Sequence, residues 1–521
     1  MNKKPKNEPF REGSAGEKRL WLKTTNVCNN RCLFCHDAPQ QDGTTAQLDD
    51  CVKRIEEGAA GGAERLIVSG GEPTIHPQFL KIVEAGKKAG FGWVQAISNG
   101  RMFAYAEFAK KARDAGLREV TVSIHGPDAS THDYLTGIQG SFSQAVTGLK
   151  NLLALGLVVS VDIVINAKNL NLLARTIKNF HTLGVREFDL LYITPFGRAF
   201  DGERKLLLPL DSQMVAEAIS DAISEGERLG CVLWTNRVPP ALLEGREEYI
   251  QDPKKILDEV RGREEHFQEL LDGGVMRCED PVRCGICFVK DLCADLAADL
   301  AAVSKGRVEE LFCGPGTVTA EALKVVKKGR LAAVSIFLTV KEPADLKQGK
   351  NLAKVSGSGK ACVVLTGAPS DEKTARAVLR GFPDAAIFTS SNLYPDFSKV
   401  SDEQENGVSP EEAARAAGVL GQCVRGLPLC LNGTRTVGRS VPIDSLIFDG
   451  KRLTVDLDRW AGDWIMRRYR VKSLRCAGCK QNKRCGGIGL NHVRAWGFAS
   501  LDPVKGRKID SEILKGMGGG K

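Results

Sequence analysis

Three thiols stand within eight residues in the stretch NVCNNRCLFCHD, at Cys28, Cys32 and Cys35. A closed zinc site takes four ligands and a disulfide takes two, so three suit a centre that keeps one position for something else. A zinc site completed by a remote ligand, or by neighbouring His36, is the alternative. Two further stretches share one spacing. CGICFVKDLC holds Cys284, Cys287 and Cys293, and CAGCKQNKRC holds Cys476, Cys479 and Cys485. Both are CxxCxxxxxC, and each has a cysteine upstream, Cys278 for the first and Cys430 for the second, with Cys313 and Cys423 as possible substitutes. They read as two four-thiolate sites, a donor set that fits either zinc or an iron–sulfur cluster. Cys51, Cys231 and Cys362 lie in helix or strand patterns and read as buried apolar residues.

Sixteen cysteines in 521 residues, with no apolar run of eighteen and no apolar core in the opening MNKKPKNEPFREGSAGEK, set the context. The expectation is a cytoplasmic chain without membrane span or secretory signal, where clustered thiols serve metals rather than cystines. The formal charge of +9 is mild for this length. The runs KVVKKGR and RRYRVKSLR read as solvated faces, and nucleic acid is not an expected partner.

The elements that must position these thiols follow a regular order. Six apolar runs (RLWLKTT, AERLIVSGG, GWVQAISNG, REVTVSIHG, LVVSVDIVIN and REFDLLYITP) alternate with amphipathic segments that end in glycine. Strand signals separated by helices predict parallel βαβ units, an α/β fold. Cys28, the Ser69 to Glu72 run, Asn99, Ser123, His125, Asn166, Gly197 and Arg198 all fall just after strands. In parallel α/β folds that edge is where ligands bind. Beyond a further helix and the run CVLW comes a charged, then cysteine-rich, segment. Residues 300–420 carry strand-like runs and fit a small α/β unit. GSGK at 357–360 lacks the full phosphate-loop spacing and reads as a turn.

CxxxCxxC with Phe34 before its last cysteine, together with SGGEPT at positions 69–74 after the second strand, resembles the radical S-adenosylmethionine superfamily. The resemblance covers roughly residues 18–200. It implies a partial (β/α)6 barrel and a 4Fe–4S cluster on Cys28, Cys32 and Cys35, whose open iron is chelated by S-adenosylmethionine. An electron from the cluster then cleaves the sulfonium, and a 5′-deoxyadenosyl radical takes hydrogen from substrate. The resemblance further implies cofactor contacts from Gly70, Gly71, Glu72, Asn99, Ser123 and Arg198, with no catalytic residue beyond the cluster. His125 reads as a structural histidine that could touch the site.

CxxCxxxxxC resembles the core of the SPASM extension of that superfamily, which carries auxiliary 4Fe–4S clusters. Its pattern continues with a cysteine four residues on, where this chain has Ala297 and Gly489. The expected organisation is a basic arm (1–17), the barrel (18–235), a first auxiliary region (236–300), an α/β insert (301–420), a SPASM-like region (421–505) and a tail (506–521). The implied activity is radical modification of a peptide or protein. A one-electron donor such as flavodoxin or ferredoxin would supply it. Tetrapyrrole or other cofactor biosynthesis is the alternative among enzymes. Outside enzymes it is a zinc or iron–sulfur scaffold binding nucleic acid.

Overall fold

The computed structural model describes residues 18–202, 207–208, 211–276, 278–304, 307–313, 332–339, 360–366, 386–388, 409–419, 424–425, 427–431, 443–444 and 455–504. The arm at 1–17, the tail at 506–521, Cys423 and most of GSGK lie outside them. The chain divides into two units, Met1–Gln251 and Asp252–Lys521.

The first unit alternates β1 (Arg19–Lys23), α1 (Leu48–Ala60), β2 (Arg65–Ser69), α2 (Phe79–Lys88), β3 (Trp93–Ser98), α3 (Ala106–Ala115), β4 (Glu119–Ser123), α4 (Ala129–Thr136), α5 (Ser141–Ala154), β5 (Val158–Ile165), α6 (Leu173–Thr182), β6 (Glu187–Tyr192), α7 (Ser212–Arg228) and β7 (Val232–Asn236). The strands pair in sequence order, all parallel, as a curled half-barrel. All six predicted strands form. A seventh, built on the CVLW run, extends the sheet. The unit also passes the predicted boundary at 235, because Thr235 Oγ1 donates to the Tyr249 carbonyl (2.5 Å) and Arg237 N to Gln251 Oε1 (2.8 Å), holding the chain against β7.

One face of this sheet is apolar. Val94, Ala96, Val120, Val122, Val161, Ile163, Phe188, Leu190 and Leu233 are buried on it. The helices cover it with one stripe each: α6 buries Leu173, Thr176, Ile177 and Phe180, the spacing of a single helical face. In α2 a Cβ on Gly86 would come within 2.5 Å of Leu66, so the backbone itself packs on the sheet. The alternate positions are polar. Arg65 Nη1 and Trp93 Nε1 donate to Glu119 Oε2 (2.7 and 2.6 Å), Gln95 Nε2 donates to Glu119 Oε1 and Thr121 Oγ1 (2.9 and 2.8 Å), and Thr121 meets Ser160 (2.8 Å). Parallel strands covered on both faces usually read as unbroken apolar runs; these do not, because their second face lines the concave side.

The second unit opens with α8 (Ile256–Arg261), α9 (Glu264–Leu271), α10 (Pro281–Ile286) and α11 (Lys290–Ser304). There follow β8 (Arg307–Cys313), β9 (Ala332–Thr339), β10 (Lys360–Thr366), β11 (Ala386–Phe388), α12 (Pro410–Val419), β12 (Val424–Arg425) and β13 (Ile443–Asp444). These strands form a parallel sheet in the order β12-β11-β10-β9-β8-β13. The predicted α/β insert is thus present as a sheet, but its edge strands β12 and β13 lie beyond the expected limit at 420. Last come α13 (Leu457–Asp463), a π-helical turn at Trp464–Arg468, the antiparallel pair β14 (Arg470–Val471) and β15 (Ile488–Gly489), and α14 (Leu490–Trp496).

The two cysteine-rich regions, expected as separate domains, share one core. Val260, Phe267, Leu292 and Leu296 pack with Trp460, Trp464 and Ile465. Burying two indoles obliges their N–H groups to find acceptors. Trp460 Nε1 donates to Asp299 (2.8 Å) and Trp464 Nε1 to Asp295 (2.7 Å).

Candidate cluster and cofactor site

Cys28, Cys32 and Cys35 lie on the loop after β1, and backbone hydrogen bonds pin that loop on three sides. Gly71 N donates to the Thr25 carbonyl (2.7 Å) and Glu72 N to that of Val27 (2.8 Å). Arg31 N and Leu33 N donate to the carbonyls of Thr136 and Leu135 at the end of α4 (both 2.9 Å), and Arg198 N to that of Cys35 (3.0 Å). The two predicted motifs therefore meet as backbone against backbone. A Cβ on Gly70 would stand 2.5 Å from the Thr25 oxygen and one on Gly71 2.3 Å from that of Val27, so only glycine permits the approach.

Burial is the main influence on these thiols. It pushes Cys28 up to about 11 and raises Cys32 and Cys35 as well, and neighbouring thiols add to the rise at Cys28 and Cys32. The guanidinium of Arg101 opposes the rise at Cys28, and that of Arg198 does so at Cys32 and Cys35. Soft sulfur donors on one half-buried loop with cations beside them suit an anionic iron–sulfur cluster.

Glu72 is 1% exposed, and its carboxylate gathers the strand ends. Thr74 N (3.1 Å), the Thr74 hydroxyl and Ser98 Oγ (2.8 Å) donate to Oε1, and Asn99 N (2.7 Å) donates to Oε2. Burial raises its pKa while those donors pull the other way. Asn99 Nδ2 donates to Asn29 Oδ1 (2.6 Å), joining the end of β3 to the cysteine loop. Ser123 ends β4 in register with Asp162 of β5, on the polar face. Asp162 is held well above the usual carboxylate range by burial and by facing Asp189, its register partner on β6.

His125 is buried, with Phe34 edge-on at 4.7 Å and His132 stacked at 5.7 Å. Val164 N donates to its Nδ1 (3.4 Å), and burial drives its pKa well below the usual imidazole value. It is a neutral histidine within the packing. Asn166 is buried and donates to the Val164 carbonyl (2.9 Å), shaping the strand end.

The two CxxCxxxxxC stretches follow similar backbone paths, the first opening as an α-helical turn and the second as a 3-10 turn. Cys284 N donates to the Asp280 carbonyl (2.7 Å) and Cys476 N to that of Ser473 (3.0 Å), each opening a short helical turn. Asp280 and Ser473 cap those turns with their own side chains. The middle cysteines end them in extended conformation, Cys287 at φ −73°, ψ 125° and Cys479 at φ −81°, ψ 131°. Lys290 N returns to the Cys287 carbonyl (3.2 Å) and Asn482 N to that of Cys479 (3.0 Å). Cys293 N then reaches Val289 O (3.1 Å) and Cys485 N reaches Gln481 O (2.8 Å), four residues back in both.

The thiols of each stretch are electrostatic neighbours. Burial raises Cys278 and pushes Cys293 up to about 12, with Cys284 and Cys287 contributing to both. Cys476 is pushed up to about 11 by burial, with Cys430, Cys485 and Cys479 adding to it. Cys430, Cys476, Cys479 and Cys485 line one cavity together with Lys472, Gln481 and Asn482. Among the described residues no three His, Cys, Asp or Glu side chains are gathered as ligands of a single ion. Of the two possible substitutes, Cys313 is the last residue of β8, and Cys423 is outside the described residues.

Residues the sequence reading missed also shape the site. Arg101 donates from Nε to Gln144 (2.6 Å) and from Nη1 to Asn30 Oδ1 (2.9 Å) and to the Asn29 carbonyl, clamping the cysteine loop from β3. Its position two residues after Asn99 in ISNGR was the available signal. The polar face of the sheet was legible only as alternation inside runs such as WVQAIS and EVTVS.

Residues 22–180 match the model of the Radical SAM superfamily, so the chain carries a domain of that superfamily. A protein of Methanosarcina barkeri described as an AdoMet-dependent heme synthase is 30% identical over 181 residues, covering 34% of this chain and 51% of that one. A probable GTP 3′,8-cyclase of Saccharolobus islandicus is 30% identical over 180 residues, covering 34% and 58%. The chain thus spans about half the length of the curated relatives it matches. Among solved structures, Streptococcus suis SuiB bound to S-adenosylmethionine aligns at a TM-score of 0.38 and 14% identity, covering 46% of this chain and 56% of that one. The structure titled native anSMEcpe with bound AdoMet and Cp18Cys peptide aligns at 0.35 and 14%, covering 42% and 63%. Among the described residues no helix is long and apolar enough to cross a membrane.

Proposed function

We propose, from the premise of a radical SAM superfamily domain, that this chain is an enzyme that cleaves S-adenosylmethionine reductively and abstracts hydrogen from a substrate. The observation that carries the reading is the backbone seam between the cysteine loop and SGGE. It sets three soft donors beside an edge where only glycines fit. Cys28, Cys32 and Cys35 would hold a 4Fe–4S cluster; with S-adenosylmethionine bound, that pair supplies a 5′-deoxyadenosyl radical. The chain's own part is positional. Gly70 and Gly71 leave room for the methionine ammonium. Glu72 and Asn99 fix the strand ends around it, and Ser123 and Arg198 border the same edge. The polar concave face gives substrate groups hydrogen-bond partners.

Cys278, Cys284, Cys287 and Cys293, and Cys430, Cys476, Cys479 and Cys485, would hold two auxiliary 4Fe–4S clusters in a SPASM-like region. Four thiolates close a cluster, which favours electron transfer over substrate anchoring. The substrate in this reading is a peptide or protein, and a flavodoxin- or ferredoxin-type donor delivers electrons in the cytoplasm. A second reading, tetrapyrrole or cofactor biosynthesis, draws support from the names of the curated relatives, heme synthase and GTP cyclase.

Anaerobic reconstitution tests the class. About twelve irons per chain with matching sulfide is expected, since each cubane carries four. 5′-Deoxyadenosine should form from S-adenosylmethionine and a strong reductant. Cys32→Ala should abolish that product, and its normal formation in the variant would contradict the assignment. Zinc without sulfide would instead favour the scaffold reading. Deuterium transfer from labelled peptide or labelled small molecule into 5′-deoxyadenosine separates the two substrate classes.

A further inference from the structure

Two side chains beside the cysteine loop form a relay that ends on sulfur. Arg198 Nη2 donates to Gln41 Oε1 (3.0 Å), and Gln41 Nε2 lies 3.5 Å from Cys35 Sγ as donor. The two ends of an amide look alike in shape, so its orientation follows from its partners. A guanidinium has five N–H donors and no acceptor. The oxygen of Gln41 must therefore face Arg198, and the NH2 group must face the thiol of Cys35. Arg198 dictates which end of Gln41 the sulfur meets.

The backbone makes this arrangement stiff. Arg198 N donates to the Cys35 carbonyl (3.0 Å). Gly197, at φ +57°, lies so close that a Cβ would stand 2.2 Å from the Cys35 oxygen. Gln41 closes a short 3-10 turn at Ala38–Gln40, its N–H bonded to the Ala38 carbonyl (3.2 Å). The guanidinium itself is not saturated: Arg198 Nη1 is buried with no hydrogen-bond partner among the described residues.

We infer that Gln41, oriented by Arg198, donates a hydrogen bond to the Cys35 sulfur of the bound cluster and raises its reduction potential. The inference rests on the radical SAM reading. Its physical basis is that reduction adds a negative charge to the cluster, part of it on sulfur. A donor aimed at that sulfur, backed by a guanidinium, stabilises the reduced state more than the oxidised one. Gln41 and Arg198 are positioning and tuning residues, touching no reacting atom.

The test is a redox titration of the anaerobically reconstituted full chain, followed by electron paramagnetic resonance. The relevant cluster is singled out as the one whose signal S-adenosylmethionine alters. Gln41→Leu should weaken reduction about tenfold, a shift of about 59 mV to more negative potential for a one-electron couple. Arg198→Gln, which accepts as well as donates and so frees the amide to turn, should shift it the same way. Arg198→Lys keeps a donor toward Oε1 and should shift it less.

Equal potentials in wild-type and Gln41→Leu chains of equal iron content overturn the relay. If the variants do not assemble the cluster, pulsed resonance on wild-type chain carrying 15N in its glutamine side chains decides. A nitrogen coupling to the reduced, S-adenosylmethionine-responsive cluster upholds the inference, and its absence overturns it. A wild-type chain with no such cluster fails the parent reading instead, so the two failures are distinct.

Discussion

The two CxxCxxxxxC turns of the second unit share the hydrogen bonds that follow their middle cysteines and stand on a different footing. The first continues from Cys293 along α11, and Cys278, Cys287 and Cys293 pack against the apolar core around Leu292, Trp460 and Trp464. Its upstream cysteine comes from only six residues before Cys284. The second stops at Gly486 and Gly487, lines a cavity completed by polar (Lys472, Gln481, Asn482) and apolar (Pro428, Leu501, Pro503) neighbours, and draws its upstream thiol from Cys430, far back in the chain. The difference separates two jobs. Spacing and caps set the local turn, while the surroundings decide whether the turn is also part of what holds the unit together.

That contrast can be broken most sharply at the middle cysteines. Cys287→Ala and Cys479→Ala should each lower iron by about four per chain. Both should abolish product while 5′-deoxyadenosine formation stays within about twofold of wild type, measured in parallel assays under reductant. Cys287→Ala should also lower the unfolding temperature, because its side chain packs on the core. Loss of radical formation in both variants would give the sites a structural role and erase the distinction.

A smaller effect tests the footing alone. Leu292 is 0% exposed, and Leu292→Ala should cost about 2–5 kcal/mol in denaturant unfolding, the range for emptying a packed leucine site. Iron at the first site should fall with it, and iron at the second should be retained under folding conditions. The smallest effect concerns the caps. Asp280→Ala and Ser473→Ala each remove a side-chain acceptor from a turn's first N–H groups and should each cost about 1 kcal/mol. Equal costs would sharpen the claim that the turns are equivalent locally. A penalty at Asp280 as large as that at Leu292 would sink it.

Much of the barrel was legible because each strand run and each helix stripe is continuous over its own length. RLIVS and the Leu173–Phe180 stripe need no distant partner to be recognised. β7 was less so: its five residues end in Thr235 and Asn236, and only the start looked apolar. The cysteine loop and SGGEPT were legible as types at a spacing, and the structure adds that they meet through backbone. Gln41 and the Glu119 network were not legible, and Arg101 only through its place after ISNG, because their partners stand up to 157 residues away. Cys430 could be reached by counting thiols, yet its place beside Cys476 depends on how the intervening chain folds. The shared core of the two cysteine-rich regions escaped for the same reason, Trp460 and Asp299 being 161 residues apart.

Cys430 leaves the parallel sheet between its two edge strands, β12 and β13, and enters the lining of the last cavity. Under the proposed four-thiolate site, a donor borrowed in this way would couple maturation to architecture: loading of that cavity would wait on the sheet, and the sheet would gain an anchor once loading is complete. Excising the sheet to obtain a shorter protein would then remove the proposed fourth ligand as well, and the trimmed chain should retain only three sulfur donors there.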